Sequence, residues 1–308
     1  MEQNQTQRAV VAGVDGSECG LQAVRWAAAE ALRRQLPVRL VAAHAWPSGG
    51  LVGDPGLGVD YRAVLRDVVL GHLATAAADA RQVAPELDIE QVEVTGYPVP
   101  VLLGESAHAE IVVLGDRGLG GFTGLLIGSV AVEVTAHASC PVIVVRGSEP
   151  DRTGPRPEPV VVGVDGSPIS EAATAFAFEA ASLRRVPLVA VHVWRDVLVD
   201  ATMAPLLDWE VIDSDEREVL AERLAGWTEK YPDVPVRRLV ARDRPARALV
   251  EESGRAQLVV VGSRGRGGFH GLLLGSVSQA LLHHAHCPVA VVRSPRGDVP
   301  PHGPDVLL

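Results

Sequence analysis

The sequence predicts a doubly wound α/β architecture in two tandem copies, each a five-stranded parallel sheet flanked by helices, and three observations carry that expectation. The segment from Val10 to Arg146 returns from Val160 to Arg293: VVAGVDGS (10–17) as VVVGVDGS (160–167), LVAAHAW (40–46) as LVAVHVW (188–194), GDRGLGGFTGLLIGSV (115–130) as GSRGRGGFHGLLLGSV (262–277), and CPVIVVR (140–146) as CPVAVVR (287–293). Within each copy, short β-branched runs alternate with longer alanine- and leucine-rich stretches at helical spacing, which is a βαβ pattern. The short runs are apolar throughout, as expected of parallel strands covered on both faces.

Taken in order, the first copy reads as a strand at VVAGVD (10–15), then a helix from Ser17 to Arg34 with Ser17 as candidate N-cap. A strand at RLVAAHAW (39–46) and a long helix over roughly 57–84 follow. Next come a strand at QVEVTG (91–96), a helix from about Val99, the strand IVVLG (111–115), a helix from Ser129 and the strand PVIVVR (141–146). The proline- and charge-rich stretch between the copies reads as a linker. Expected boundaries are 8–147 for the first domain, 148–158 for the linker, 159–294 for the second domain and 295–308 for a frayed tail.

Composition narrows the function classes. With 47% hydrophobic and 21% charged residues the chain can bury a core, and its net charge of −10 argues against a nucleic-acid partner, whose phosphates demand a Lys/Arg surplus. No apolar run approaches the roughly 18 residues needed for a membrane span, and MEQNQTQ lacks the features of a signal peptide, so a cytoplasmic location is expected. Three scattered cysteines, Cys19, Cys140 and Cys287, suit packed thiols rather than a disulfide framework. Lys230 is the single lysine, so a bound phosphate would be held by backbone N–H groups, arginine or a metal ion.

The chemistry-bearing motif follows the fourth strand. Glycines at 115 and 118 leave that strand, a nine-residue excursion intervenes, and Gly128–Ser129 open a helix; the second copy repeats this with Gly262, Gly265, Gly275 and Ser276. Glycine lets backbone approach a ligand closely, and a helix N-terminus offers unpaired N–H donors to an anion. Its place at the carboxyl end of a strand is where open α/β sheets bind ligands.

Strand, then G-x-x-G-x9-G-S, then helix resembles the ATP-binding motif of the universal stress protein family, and it occurs twice. The G-V-D-G-S end of the first strand, the H-x-W strand end and the final C-P-V-x-V-V-R strand resemble that family as well, so the similarity covers nearly the whole chain as a tandem-domain member. The resemblance implies an ATP-binding stress-response or regulatory protein that uses its nucleotide as a signal, with an unidentified regulatory protein partner. In the first copy it implies nucleotide contacts at Gly13, Val14, Asp15, Ala43, Gly115, Asp116, Arg117, Gly118, Leu119, Gly120, Gly121, Gly128, Ser129 and Val130. In the second it implies them at Gly163, Val164, Asp165, Val191, Gly262, Ser263, Arg264, Gly265, Arg266, Gly267, Gly268, Gly275, Ser276 and Val277. It also implies an internal pseudo-dimer joined through the final strands, with a further homodimer of the whole chain compatible.

Several residue roles stay open in the sequence. Asp15 and Asp165 serve the nucleoside, hold Mg²⁺ on the phosphates, or cap the helix behind the D-G-S turn. The Mg²⁺ role belongs to the alternative of a slow ATPase or nucleotidyl-transfer enzyme, though no general base beside a nucleophile recurs in both copies. Asp116 opposite Ser263 and Leu119 opposite Arg266 would make the second site the tighter one if these side chains face the ligand. His283, His284, His286 and Cys287 have metal-ligating chemistry, but the helix dipole equally favours histidines in a last turn. Trp46 and Trp194 read as packing or pocket rim. The Arg33–Arg34 and Arg184–Arg185 pairs read as helix-end residues facing solvent. A Rossmann dehydrogenase would carry its glycines after the first strand, and a Walker NTPase needs a lysine that is absent here.

Overall fold

A computed structural model describes residues 8–45, 61–119, 127–146, 158–194, 209–242, 244–266 and 273–293. The linker up to residue 157, the tail from residue 294, Trp46, Gly120, Gly121, Gly267 and Gly268 lie outside the described residues.

The first copy runs β1 (Val10–Gly13), α1 (Glu18–Arg34), β2 (Val38–His44), α2 (Tyr61–Val83), β3 (Ile89–Thr95), α3 (Pro98–Ser106), β4 (Ile111–Gly115), α4 (Ser129–His137) and β5 (Val142–Val145). The second repeats it as β6 (Val160–Gly163), α5 (Pro168–Arg184), β7 (Leu188–Trp194), α6 (Trp209–Lys230), β8 (Val236–Arg242), α7 (Pro245–Ser253), β9 (Leu258–Gly262), α8 (Ser276–His284) and β10 (Val289–Val292). Each expected element is present, and the ends follow local chemistry. Ser17 caps α1 by accepting from the Gly20 N–H at 3.1 Å, and Ser167 caps α5 by accepting from the Ser170 N–H. Both helices end on a left-handed residue, Gln35 or Arg185, whose N–H returns to a carbonyl of the last turn.

All ten strands join one sheet in the order β3-β2-β1-β4-β5-β10-β9-β6-β7-β8, parallel within each copy and antiparallel where the copies meet. Expected as two five-stranded sheets touching through their last strands, the copies instead share one hydrogen-bonded sheet, with Val144 opposite Val289 and Val142 opposite Val291. Pairing β5 with β10 satisfies backbone groups that two isolated sheets would expose at an apolar edge. Alternate strand residues point to opposite faces, so Val10 and Ala12 pack with α1 and α2 while Val11 packs with α3 and α4. The same division places α5 and α6 on the first face and α7 and α8 on the second.

Two further devices hold the copies together. Arg146, just past β5, donates from Nη1 to the Leu282 carbonyl in the last turn of α8 at 2.5 Å, and Arg293 answers by donating to Ala136 in α4. Each guanidinium therefore sits at the negative end of the other copy's helix. On the opposite face α1 meets α5, and here one expectation is corrected: Arg34 and Arg184 do not face solvent. Their side chains are only 4% exposed and close on the fully buried Glu30, at 2.7 Å from Arg34 and 2.5 Å from Arg184. Arg34 also reaches Glu179 at 3.1 Å and stacks over Phe176, and Arg184 stacks over Trp26. Inter-copy packing removes the solvent that helix-end arginines meet on an isolated domain. Arg33 keeps a partly exposed side chain.

Candidate functional site: the crevice between β1 and β4

Strand order makes the crevice. The chain leaves β1 toward β2 on one side and returns to β4 on the other, so the segments after β1 and β4 diverge and leave an opening at their carboxyl ends. In the first copy a cavity of about 730 Å³ fills that opening.

The expected residues fall around it by element. Gly13, Val14 and Asp15 come from the end of β1, Ala43 from β2, Gly115 from the end of β4, Arg117, Gly118 and Leu119 from the loop after it, and Gly128, Ser129 and Val130 from the start of α4. Asp116 stands apart from this lining. It is 7% exposed, and its carboxylate lies under the loop, 3.7 Å from Arg146 and 3.8 Å from Arg117, where it also accepts from the Cys19 thiol. Its negative charge is thus neutralised beneath the loop rather than turned toward the cavity. Leu119 lines the cavity but leaves 67% of its surface exposed.

Asp15 has a role that the sequence left undecided. Its Oδ1 accepts from the Ser17 N–H at 3.0 Å, and its Oδ2 accepts from the Leu119 N–H at 3.0 Å across a separation of 104 residues. In the second copy Asp165 accepts from Ser167 N–H and Arg266 N–H, each at 2.9 Å. The carboxylate therefore latches the glycine loop to the end of the first strand, while the adjoining serine caps the helix. Gly118 and Gly265 are required for this: a Cβ on either would land directly on Oδ2 of Asp15 or Asp165.

The far end of each loop is closed by a backbone bond. Gly128 N–H donates to the Asp116 carbonyl at 2.7 Å, and Gly275 N–H to Ser263 at 2.8 Å. The next residues, Ser129 and Ser276, open α4 and α8, and neither helix has a side chain bonded at its N-cap. The first N–H groups of these helices thus remain available as anion donors beside the loop. Gly163, Val164, Gly262, Arg264 and Val277 occupy the matching places in the second copy, whereas Val191, expected opposite Ala43, pairs with Gly163 and accepts from Val164 N–H as Val41 does with Gly13 and Val14, so it matches Val41 instead.

One wall escaped the sequence reading. Leu65, Val68, Val69 and His72 line the cavity along one face of α2, joined by Pro98, Leu102 and Ile127. Spacings of three and four residues along α2 are the signal that would have placed them on one face. In the second copy, Trp194 lies at the end of β7 with the Arg242 guanidinium 5.9 Å from its ring centre. His283 and His284 have ring centres 6.1 Å apart, whereas Cys287 is buried.

The thiols give a direct check on this packing. Burial pushes Cys140 up to about 12, and Cys19 is raised by burial and then by its hydrogen bond to Asp116. Because the thiolate is the reactive species, Cys140 is expected to resist iodoacetamide in the folded protein and to react fully after denaturation, read by peptide mass spectrometry.

Among the described residues, no helix is long and apolar enough to cross a membrane. Comparison with known proteins bears on the whole chain. The model of the Universal stress protein family matches residues 7–146 and 157–293. Universal stress protein Rv2005c of Mycobacterium tuberculosis is 43% identical over 298 residues, covering 95% of this chain and 99% of that protein. A universal stress protein of Mycolicibacterium smegmatis is 42% identical over 305 residues, covering 95% and 99%. The crystal structure of a universal stress protein from Archaeoglobus fulgidus DSM 4304 shares the fold with a TM-score of 0.69 at 18% identity, covering 94% of this chain and 97% of that one. Two matches in one chain, on the two halves that share the sheet, make this protein a tandem-domain member of the universal stress protein family.

Proposed function

We propose that the protein is an ATP-binding regulator, in which nucleotide bound at the β1–β4 crevice of each copy acts as a signal rather than as fuel. The observation that carries this reading is the latched glycine loop beside an uncapped helix N-terminus, built the same way twice. In the first copy, the phosphates would meet the N–H groups of Gly118, Ser129 and Val130 with Arg117 beside them. The apolar wall of Val41, Ala42, Leu65 and Val69 suits a flat base. A Mg²⁺ ion is compatible as a companion of the phosphates. Asp15 and Asp165 already bind two N–H groups each, so these carboxylates serve to position the loop, which favours binding over turnover. Signalling then needs only that a regulatory protein, or a second copy of the chain, prefer the liganded or the empty form.

The test is to denature the purified protein and chromatograph the released small molecules, then titrate ATP calorimetrically into wild type and into Gly115→Ala/Gly262→Ala. A Cβ at Gly115 would stand 2.6 Å from the Cys19 carbonyl oxygen, so backbone must shift there, and one at Gly262 would stand 2.7 Å from the Ile169 side chain and 3.1 Å from the Arg264 carbonyl oxygen, so that side chain or the loop must give way. Expected are adenine nucleotide in the extract, ATP binding by wild type and at least tenfold weaker binding by the variant, corresponding to about 1.4 kcal/mol. An extract free of nucleotide together with no heat of ATP binding defeats the reading. Sustained multiple-turnover phosphate release would favour an ATPase instead.

A further inference from the structure

The D-G-S turn at the mouth of each crevice carries a basic side chain that the nucleotide motif does not include. Gly16 and Gly166 have φ of +84° and +75°, and each leaves an open face where a side chain would otherwise stand. In the first copy the His72 imidazole fills that face, its atoms 2.5–2.6 Å from where a Gly16 Cβ would be. In the second copy the Arg223 guanidinium fills the corresponding face of Gly166.

These two residues are not equivalents in the repeat. Leu220 occupies the buried helix position of Leu73, so Val219 stands where His72 does, and Arg223 projects from one helical turn further along α6. The copies thus place a nitrogen donor at the same spot from different helix positions. In the first copy that spot belongs to the cavity, since His72 lines it together with Asp15, Gly118 and Ser129.

Arg223 has a second property. Its Nη1 is closed off from solvent and has no hydrogen-bond partner among the described residues. A guanidinium nitrogen held dry without an acceptor is costly, and a phosphate oxygen is the acceptor that its geometry fits best. The nearby Asp165 carboxylate is already engaged by Ser167 and Arg266.

We propose that the side chain over each Asp-Gly turn, His72 in the first copy and Arg223 in the second, contacts the anionic end of the bound nucleotide. Arg223, permanently charged, makes the second site prefer a triphosphate over a monophosphate. This inference rests on the nucleotide-binding reading above and adds to it a specificity-determining residue for each copy.

The experiment closes the first site with Gly118→Val and titrates ATP and AMP into that background carrying Arg223, Arg223→Met or Arg223→Lys, alongside wild type. Losing a charge-assisted contact, Arg223→Met is expected to bind ATP on the order of tenfold more weakly while AMP changes by less than about twofold. Arg223→Lys should recover part of the difference. The melting temperature of ligand-free Arg223→Met should stay level or rise, because an unsatisfied buried donor is removed. An unchanged ATP-to-AMP affinity ratio overturns the proposal. So does an equal loss for both nucleotides with a lowered ligand-free melting temperature, which marks a merely structural role. Binding by wild type but none in the Gly118→Val background overturns it for the second site alone. A wild-type chain that binds neither nucleotide removes the reading beneath it as well.

Discussion

Replacing Gly118 and Gly265 together by valine is expected to abolish measurable ATP binding, a loss of at least a hundredfold or about 3 kcal/mol, while leaving the fold intact. Each new Cβ would fall on the carboxylate oxygen that accepts the loop N–H, so the Leu119 bond to Asp15 and the Arg266 bond to Asp165 must break. Hydrogen bonds to a charged acceptor are worth about 1.5–3 kcal/mol, and the displaced segment is the one proposed to border the phosphates. Both glycines lie in loops outside the strands and helices, so melting followed by circular dichroism should move by only a few degrees. Calorimetric titration of ATP is the deciding measurement, and a wild-type dissociation constant in the double variant would rule out the loop as the binding element. Valine at only one of the two positions should halve the stoichiometry and leave the remaining site unchanged, because the loops lie in separate crevices.

Glu30→Ala is expected to cost about 3–5 kcal/mol of stability, the range for removing one partner of a buried ion cluster. Glu30 has no exposed surface and is shared by Arg34 and Arg184, one from each copy. Without it two guanidinium groups stay buried, and among the described residues only Arg34 keeps a carboxylate nearby, the half-exposed Glu179. Stacking on Phe176 and Trp26 softens the loss without replacing the charge. Urea unfolding should show a lower midpoint with an unchanged slope.

The pH dependence of Glu30→Gln tests the same cluster. Burial alone would raise the Glu30 carboxyl, but Arg184 and Arg34 outweigh it and hold it below its ordinary value. A depressed folded pKa means that the stabilising contribution is complete above the unfolded value of about 4.3 and is lost as pH falls through the folded one. The stability gap between wild type and Glu30→Gln should therefore be full at neutral pH and close in acid. A gap that stays constant down to the acid transition would show that the carboxyl is not ionised in the folded protein.

Much of this was legible in the sequence because the physics involved is local or repeated. Apolar β-branched runs fixed where strands run, Ser17 announced a helix start, and the doubled motif located both loops at strand ends. What the sequence could not rank was the use of Asp15: Mg²⁺ ligand, nucleoside contact and cap are all satisfied by the same carboxylate. The structure adds a bond from an N–H 104 residues away, which ties that carboxylate to the glycine loop. The contrast of Asp116 with Ser263 was left conditional for a related reason. A side chain's charge matters to a ligand only through its direction, and Asp116 points down to Arg146 and Arg117.

By itself, then, the sequence determined the two-copy α/β fold, the order of its elements, the apolar seam strands and the glycine loops, since these follow from periodicity, capping and backbone freedom. Tertiary structure alone decided the rest. It merged the copies into one sheet, buried Arg34 and Arg184 around Glu30, turned a face of α2 into a cavity wall, and set His72 and Arg223 over matching turns from unmatched positions. These are contacts between residues far apart in the chain, and their energies depend on distance, burial and direction, which no spacing in the sequence encodes.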